Sequence, residues 1–335
     1  MEILLNNGAD PNLPHGKKHL TPLHFICLNV MFSQLHEKIR MVELLLRAGA
    51  DPNAMLEGST PLHLICQHHD QDVELLKKIF ELGGRRVNVN AQDRQGRTPL
   101  FYAVVTLGPS LVDVLLDNGA DLSSFTFPTF DDFVEYSEVW IRKKNYILIL
   151  ASGVMAIVDI LQKGGYEWYE REEIYDLTIG KLFARYGLFQ RLSDADIRSR
   201  RGICWFEKDA FVEKAKEIKF KGDLSLHEVI QWQPKVAKQK LDYLDYFVFA
   251  TSDDFRKLGH YWYSCSLHLC EKLARAHFLE LALEVFPSVL PIGNFTRLYR
   301  EVNEAICDHL MNRDLWCIYE AWHQIEIDRQ NNPSS

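Results

Sequence analysis

Three apolar helical segments lie in the first third of the chain, Ile3-Leu4-Leu5, Val42 to Leu46 and Val112 to Leu116, and a glycine follows each by three residues. The turns that follow read Gly8-Ala9-Asp10-Pro11-Asn12, Gly49-Ala50-Asp51-Pro52-Asn53 and Gly119-Ala120-Asp121. Out of phase with them, Thr21-Pro22-Leu23-His24 recurs as Thr60-Pro61-Leu62-His63 and Thr98-Pro99-Leu100-Phe101, at spacings of 39 and 38 residues. Thr is a good N-cap, and Pro at the first helical position loses no hydrogen bond. Gly after a helix supplies the positive φ that ends it. The pattern predicts pairs of short helices repeated over residues 1–122.

These residues resemble the ankyrin repeat, whose signature is a T-P-L-H-x-A helix start and a Gly-Ala-Asp turn at a period of about 33. The resemblance implies a solenoid that binds protein on its first helices and loop tips. Cys27 and Cys66 fall where such helices pack, so they read as core thiols. His24 and His63 read as turn-bracing hydrogen-bonders. The distance from repeat Thr to closing Gly is 21 residues in the third repeat, 23 in the second and 28 in the first, and the first repeat's excess falls within Asn29 to Lys38. The tips ahead of each Thr-Pro-Leu run are His15 to His19, Met55 to Gly58 and Gln92 to Gly96. A protein ligand is expected at His15, Lys17, His19, Met55, Leu56, Gln92 and Arg94, and Met55 and Leu56 are apolar without an evident folding need. Met1 to Leu5 matches the second helix of a repeat without its first, so either sequence precedes it or a core edge is exposed.

Beyond residue 122 the pattern weakens. Ile157 to Leu161 with Gly164-Gly165 echoes Leu111 to Leu115 with Gly119, without a Thr-Pro-Leu-His partner. Residues 123–190 therefore read as a degenerate capping unit with a long insertion, Ser123 to Lys144. Helices are expected over Leu177 to Phe189, Phe206 to Phe220, Leu226 to Trp232 capped by Ser225, Pro234 to about Phe249, and Trp262 to Val285. Residues 190–204 read as a loop within a linker region, 191–221. Residues 222–325 form a helical C-terminal domain and 326–335 a polar tail, giving an all-α chain.

Near the C-terminus, Val302, Ile306 and Leu310 recur every four residues on one helical stripe, and Asp314 can cap the helix from Leu315 to Trp322. With Leu298 and Glu301, this stretch, 298–315, resembles the F-box pattern L-P-x-E-[IV]-x3-I-x3-L-x3-D-L, with Tyr299 where that family has Pro. An ankyrin array followed by such a motif is similar to the PRANC arrangement of poxvirus and insect proteins. The resemblance implies a Skp-type adaptor of a cullin–RING ubiquitin ligase held by Leu298, Glu301, Val302, Ile306, Leu310, Leu315 and Trp316. The other reading is that these helices only close the C-terminal domain over a plain ankyrin binding protein.

Composition narrows the partners. Lys+Arg 38 against Asp+Glu 46 gives a net charge of -8, which lacks the field that draws proteins to nucleic acid or anionic membranes. The best apolar stretch, Tyr146 to Leu161, contains Ser152, Gly153 and Asp159 and is short of the roughly 20 residues of a span. Seven cysteines without a C-x-x-C pair argue against a disulfide framework and for a cytoplasmic or nuclear protein. No nucleophile elbow, P-loop, dinucleotide fingerprint or zinc-protease motif occurs, so no enzyme activity and no cofactor are expected. His260, Cys265, His268 and Cys270 cluster, but ligands on one continuous helix cannot surround a tetrahedral zinc, and helix packing is the favoured reading.

Overall fold

The structure, a computed structural model, describes residues 1–15, 20–28, 35–67, 72–167, 172–189, 205–289 and 310–331. It divides into two compact units. One comprises residues 1–142 and 157–170, the other 143–156 and 171–335.

In the first unit the helices are α1 Glu2–Asn6, α2 Pro22–Leu28, α3 Leu35–Arg47, α4 Pro61–Cys66, α5 Val73–Gly83, α6 Pro99–Val105 and α7 Pro109–Asp117. Each Thr-Pro-Leu run opens a helix, as its capping chemistry requires. Thr98 Oγ1 accepts the Phe101 N–H, and Thr60 and His63 form a reciprocal cap. Gly8, Gly49 and Gly119 follow α1, α3 and α7 at φ values of 83°, 94° and 87°. Successive helices bury one continuous core: Leu23, Ile26, Val42, Leu45, Leu62, Ile65, Leu75, Ile79, Leu100, Ala103, Leu111 and Leu115 are all at most 2% exposed. Cys27 and Cys66 belong to it. Burial pushes the Cys27 thiol up to about 12 and the Cys66 thiol higher still, so neither is a nucleophile.

The segment read as an insertion, Ser123 to Lys144, contains two short helices. It holds α8 Phe130–Glu135 and α9 Glu138–Ile141, with Phe133 and Trp140 fully buried. Thr129 opens α8 with a capping box in which Asp132 stands where the first two repeats have His. Pro128 precedes this Thr instead of following it, which hid a fourth helix start 31 residues after Thr98. The far end of α10, Tyr146–Lys163, completes this unit, and Gly165 (φ 91°) follows it as Gly119 follows α7. By length and composition α10 could cross a membrane, with a mean hydropathy of 1.7, but 72% of it is buried inside the protein.

The second unit has no repeat. Its helices are α11 Glu172–Arg185, α12 Asp209–Glu217, α13 Leu226–Gln231, α14 Pro234–Lys240, α15 Tyr243–Thr251, α16 Asp253–Arg256, α17 Trp262–Val289 and α18 Asn312–Asn331. Two expectations needed correction. The helix from Pro234 stops at Lys240, because Asp242 forms a new capping box with Asp245 and starts α15. The helix over Phe206 to Phe220 ends at Glu217. A hairpin of two short strands, β1 Lys219–Lys221 and β2 Leu224–Ser225, follows it around Gly222 at φ 55° and seats Phe220 on Phe249, ring centroids 4.5 Å apart. Ser225 caps α13 as its sequence predicts. The stretch 190–204 lies outside the described residues.

α17 is the spine of this unit. Its Lys272 ammonium donates to the Val229, Ile230 and Trp232 carbonyls at the C-terminal end of α13, where the helix dipole favours a cation. Against α17 and α11 lies α18. Trp316 rests on Gly180, where a methyl group would come within 2.2 Å of its ring. Asn312 anchors the start of α18 on Glu271, donating its backbone N–H to the carboxylate and its side-chain amide to the carbonyl, both at 3.0 Å.

Candidate protein-interaction face of the helical array

Two ladders of hydrogen bonds hold the helical pairs of the first unit in register. The first uses histidine. His63 Nδ1 accepts the Thr60 backbone N–H at 3.1 Å, which leaves Nε2–H to donate to the Arg97 carbonyl at 3.1 Å. His24 sits 2.7 Å from Thr21 Oγ1, and its Nε2 is 2.9 Å from the Ala54 carbonyl. Each helix start is thus tied to the loop tip of the next pair. Burial holds both imidazoles below their ordinary pKa, in the neutral form this tautomer needs.

The second ladder uses asparagine. Asn12 Nδ2 donates to the Gly49 carbonyl at 3.0 Å, and Asn12 Oδ1 accepts the Asp51 N–H at 2.7 Å. Asn53 does the same to Arg86 and Asn88, at 2.6 and 2.7 Å, and Asn90 to Gly119 and Asp121, at 3.1 and 2.9 Å. The sequence reading took Asn12 and Asn53 only as turn residues and did not single out Asn90. Their recurrence after Asp-Pro was the available signal, but it is broken at the third, where Val87-Asn88-Val89-Asn90 replaces Ala-Asp-Pro-Asn.

A third tie appears where the histidine is missing. Phe101 stands at the third helix start, and Arg97 takes over. Its guanidinium lies 4.8 Å from the Phe101 ring centroid, pairs with Asp132 at 3.3 Å and Glu135 at 3.1 Å, and donates to the Tyr136 hydroxyl at 2.9 Å. Asp93 fixes the adjoining tip by accepting the Tyr102 hydroxyl at 2.5 Å and the Gln95 and Arg97 N–H groups at 2.8 and 2.9 Å. Elsewhere in this unit Lys38 and Asp72 form a buried ion pair at 3.1 Å between α3 and the start of α5. Nothing in the pattern of the sequence paired them.

The surface left over is the first helices and tips. Met55 is 55% exposed and Phe25, which the sequence reading passed over, is 50% exposed. They are the neighbours of Ala54 and His24, the two ends of one hydrogen bond. Gln92 and Arg94 are exposed, and Arg94 lies against Gly58 of the preceding tip. His15 is exposed and bridges backbone to backbone with Leu20 at 2.8 and 3.1 Å, whereas Lys17 and His19 lie outside the described residues. Leu56 is a correction: it is only 8% exposed, tucked in by the Leu56–Ser59 bridge around Glu57 and Gly58, both at positive φ. It packs into the tip and leaves Met55 as the exposed apolar side chain there.

In the second unit, Leu298, Glu301, Val302 and Ile306 lie outside the described residues. Leu310 is half-buried, and its carbonyl accepts from Arg275. Leu315 and Trp316, at 0% and 2% exposed, are core residues of α18 and not part of an open patch. The helix also begins at Asn312, before Asp314, whose carboxylate accepts the Met311 N–H at 3.0 Å. Cys265 and Cys270 are buried helix-packing thiols, and His268 Nε2 lies 3.3 Å from the Ile230 carbonyl.

A family model for ankyrin repeats, in three copies, matches residues 30–126. This segment is an ankyrin-repeat array. Ankyrin repeats mediate protein–protein interaction. Human ankyrin repeat and SOCS box protein 6 is 29% identical over 133 residues, which is 37% of this chain and 29% of that protein. The E3 ubiquitin-protein ligase KEG of Arabidopsis thaliana is 34% identical over 100 residues, 29% of this chain and 6% of the ligase. Ankyrin repeat protein OPG189 of Variola virus is 29% identical over 124 residues, 36% of this chain and 20% of that protein. The match thus spans less than a third of the length of these relatives.

Proposed function

We propose that the protein is a non-enzymatic adaptor of the cytoplasm or nucleus, whose ankyrin array holds a protein ligand and whose second unit links it to a ubiquitin ligase. The observation that carries the first half is the exposed pair Phe25 and Met55 on a scaffold made rigid by the two ladders. Large apolar side chains left on a stiff surface lose little entropy on binding. The ligase half rests on the F-box-like stretch from Leu298 to Leu310 and on the two relatives whose names carry a SOCS box and an E3 ubiquitin-protein ligase.

A second reading has its own support. The burial of Leu315, Trp316 and Tyr319 favours a C-terminal helix that simply closes the helical unit. In that case the adaptor contact, if made, falls on Leu298, Val302, Ile306 and Leu310 alone. Binding of the full chain to a purified Skp-type adaptor separates the two. The ligase reading expects Val302→Arg to weaken binding at least tenfold with an unchanged melting temperature. A wild-type chain that does not bind the adaptor leaves a plain ankyrin binding module.

A further inference from the structure

The charges of the array's loop tips fall into two groups. Those of the third tip and the fourth helix start are taken up inside the unit. Asp93 holds Tyr102 and two backbone N–H groups, and Arg97 is shared between Asp132 and Glu135. Glu57 and Arg94 are different. Both are exposed, and among the described residues neither side chain has a hydrogen bond or an ion pair. They belong to one spot: a methyl group at Gly58 would come within 2.6 Å of Arg94 Cγ, so the Arg94 stem lies over the tip that carries Glu57. Two opposite charges on one tip, unpaired with each other, are both open to a third group.

The backbone singles out Glu57 a second time. The bridge between Leu56 and Ser59 closes a two-residue turn in which Glu57 takes φ 52° and Gly58 φ 102°. Such turns favour Asn, Asp or Gly at the first place, since a longer L side chain at positive φ is strained. Glu57 is therefore held against a local cost, and no described group of the fold uses its carboxylate. Met55 stands two residues before it, 55% exposed, and Phe25 follows the His24 that bonds the Ala54 carbonyl. An exposed apolar pair and two spare charges of opposite sign thus meet at one tip.

We propose that this tip selects a protein segment that carries an apolar anchor between a basic and an acidic residue. The anchor lies on Met55 and Phe25, the base pairs with Glu57 and the acid with Arg94. The proposal rests on the reading of Phe25 and Met55 as the binding face and adds the chemistry of its ligand. Exposed ion pairs contribute little affinity, but they discriminate, because a residue of the wrong sign meets a like charge. A ligand of one sign only would satisfy one of the two charges and oppose the other.

A phage-displayed library of random peptides, selected on the immobilised full chain, is the probe. The expected result is an enrichment of at least tenfold, over the unselected library, of peptides with an apolar residue between a Lys or Arg and an Asp or Glu. Selection on Glu57→Lys should exchange the basic residue for an acidic one, and selection on Arg94→Glu the acidic residue for a basic one. Glu57→Asn should lose the preference for the basic residue alone, with a melting temperature that stays level or rises, since Asn suits the turn better. A native chain that enriches no such peptides overturns the proposal. Peptides still held by Glu57→Lys, but lost from a chain carrying Phe25→Asp and Met55→Asp, overturn it and leave the binding face in place. Peptides held by both variants overturn the binding face as well.

Discussion

The ankyrin unit and the helical unit use the same helices for opposite ends. In the array each pair of helices touches its neighbours through a repeated device, a histidine or asparagine side chain that bonds the next loop's backbone. Contacts are local and periodic, and the first helices keep an unpacked side. In the second unit one long helix, α17, is the spine on which the other helices pack, and polar groups are buried with it. Lys272, His268, His277 and Glu271 all lie inside this unit. A periodic array spends its polar groups at its edges and leaves a surface for binding. An aperiodic core takes polar groups inside and becomes sensitive to their charge.

The largest expected effect is therefore acid sensitivity of the second unit. Burial lowers His268 and His277 to about 4 each, against an ordinary value near 6.5, and at His277 it outweighs the Asp176 carboxylate 3.7 Å from Nε2. Both are neutral when folded, and the unfolded chain takes up protons first as pH falls. Their contribution is fully present above pH 6.5 and is lost as pH falls to about 4, at about 3 kcal/mol per group. Thermal unfolding across that window, followed by the fluorescence of Trp316 and its neighbours, should show the loss. His268→Gln and His277→Gln together should flatten it. Melting that is flat from pH 7 to pH 4 in the native chain would show these histidines to be solvated.

Next in size is the seat of Trp316. Trp316→Ala opens a cavity over Gly180 and should cost about 3–5 kcal/mol. Hydrogen exchange should speed up in α11, α17 and α18, with the array little changed. A similar loss is expected in the array from Lys38→Met, which leaves the Asp72 carboxylate buried without its cation, about 3–5 kcal/mol by denaturant titration. Adding Asp72→Leu should recover much of it.

What could be read in advance follows the same division. The array was legible because its rules are local: a Thr-Pro cap, a glycine at positive φ and a repeat length all lie within a few residues of each other. Ser225 was legible for that reason too. Lys38 with Asp72, Arg97 with Asp132 and Lys272 with the end of α13 were not, since each joins residues about 34 or more positions apart with no periodicity to link them. Leu56 and Trp316 were misjudged from one cause. A stripe or a pair of apolar residues shows that something is covered, and only the neighbours show whether the cover is the protein itself.

Smaller effects sharpen the contrast from the array side. Asn53→Ala removes two bonds between adjacent loops and should cost about 1–3 kcal/mol. Exchange should speed up at Asn88, with α17 unaffected. Leu56→Asp should also destabilise the array, as expected of a buried side chain.

Met55→Asp and Phe25→Asp should scarcely change stability, by about 0.5 kcal/mol or less, because neither side chain is packed. That pair gives the most direct measurement of the account. The full chain carrying both substitutions is compared with the native chain for its melting temperature and for the proteins it retains from a cell extract. The account predicts the same melting temperature, and loss of partners that the native chain holds and that a Val248→Asp control, at an exposed position of the second unit, still holds. Retention of the same partners by the double variant would contradict it and move the binding surface away from the first helices of the array.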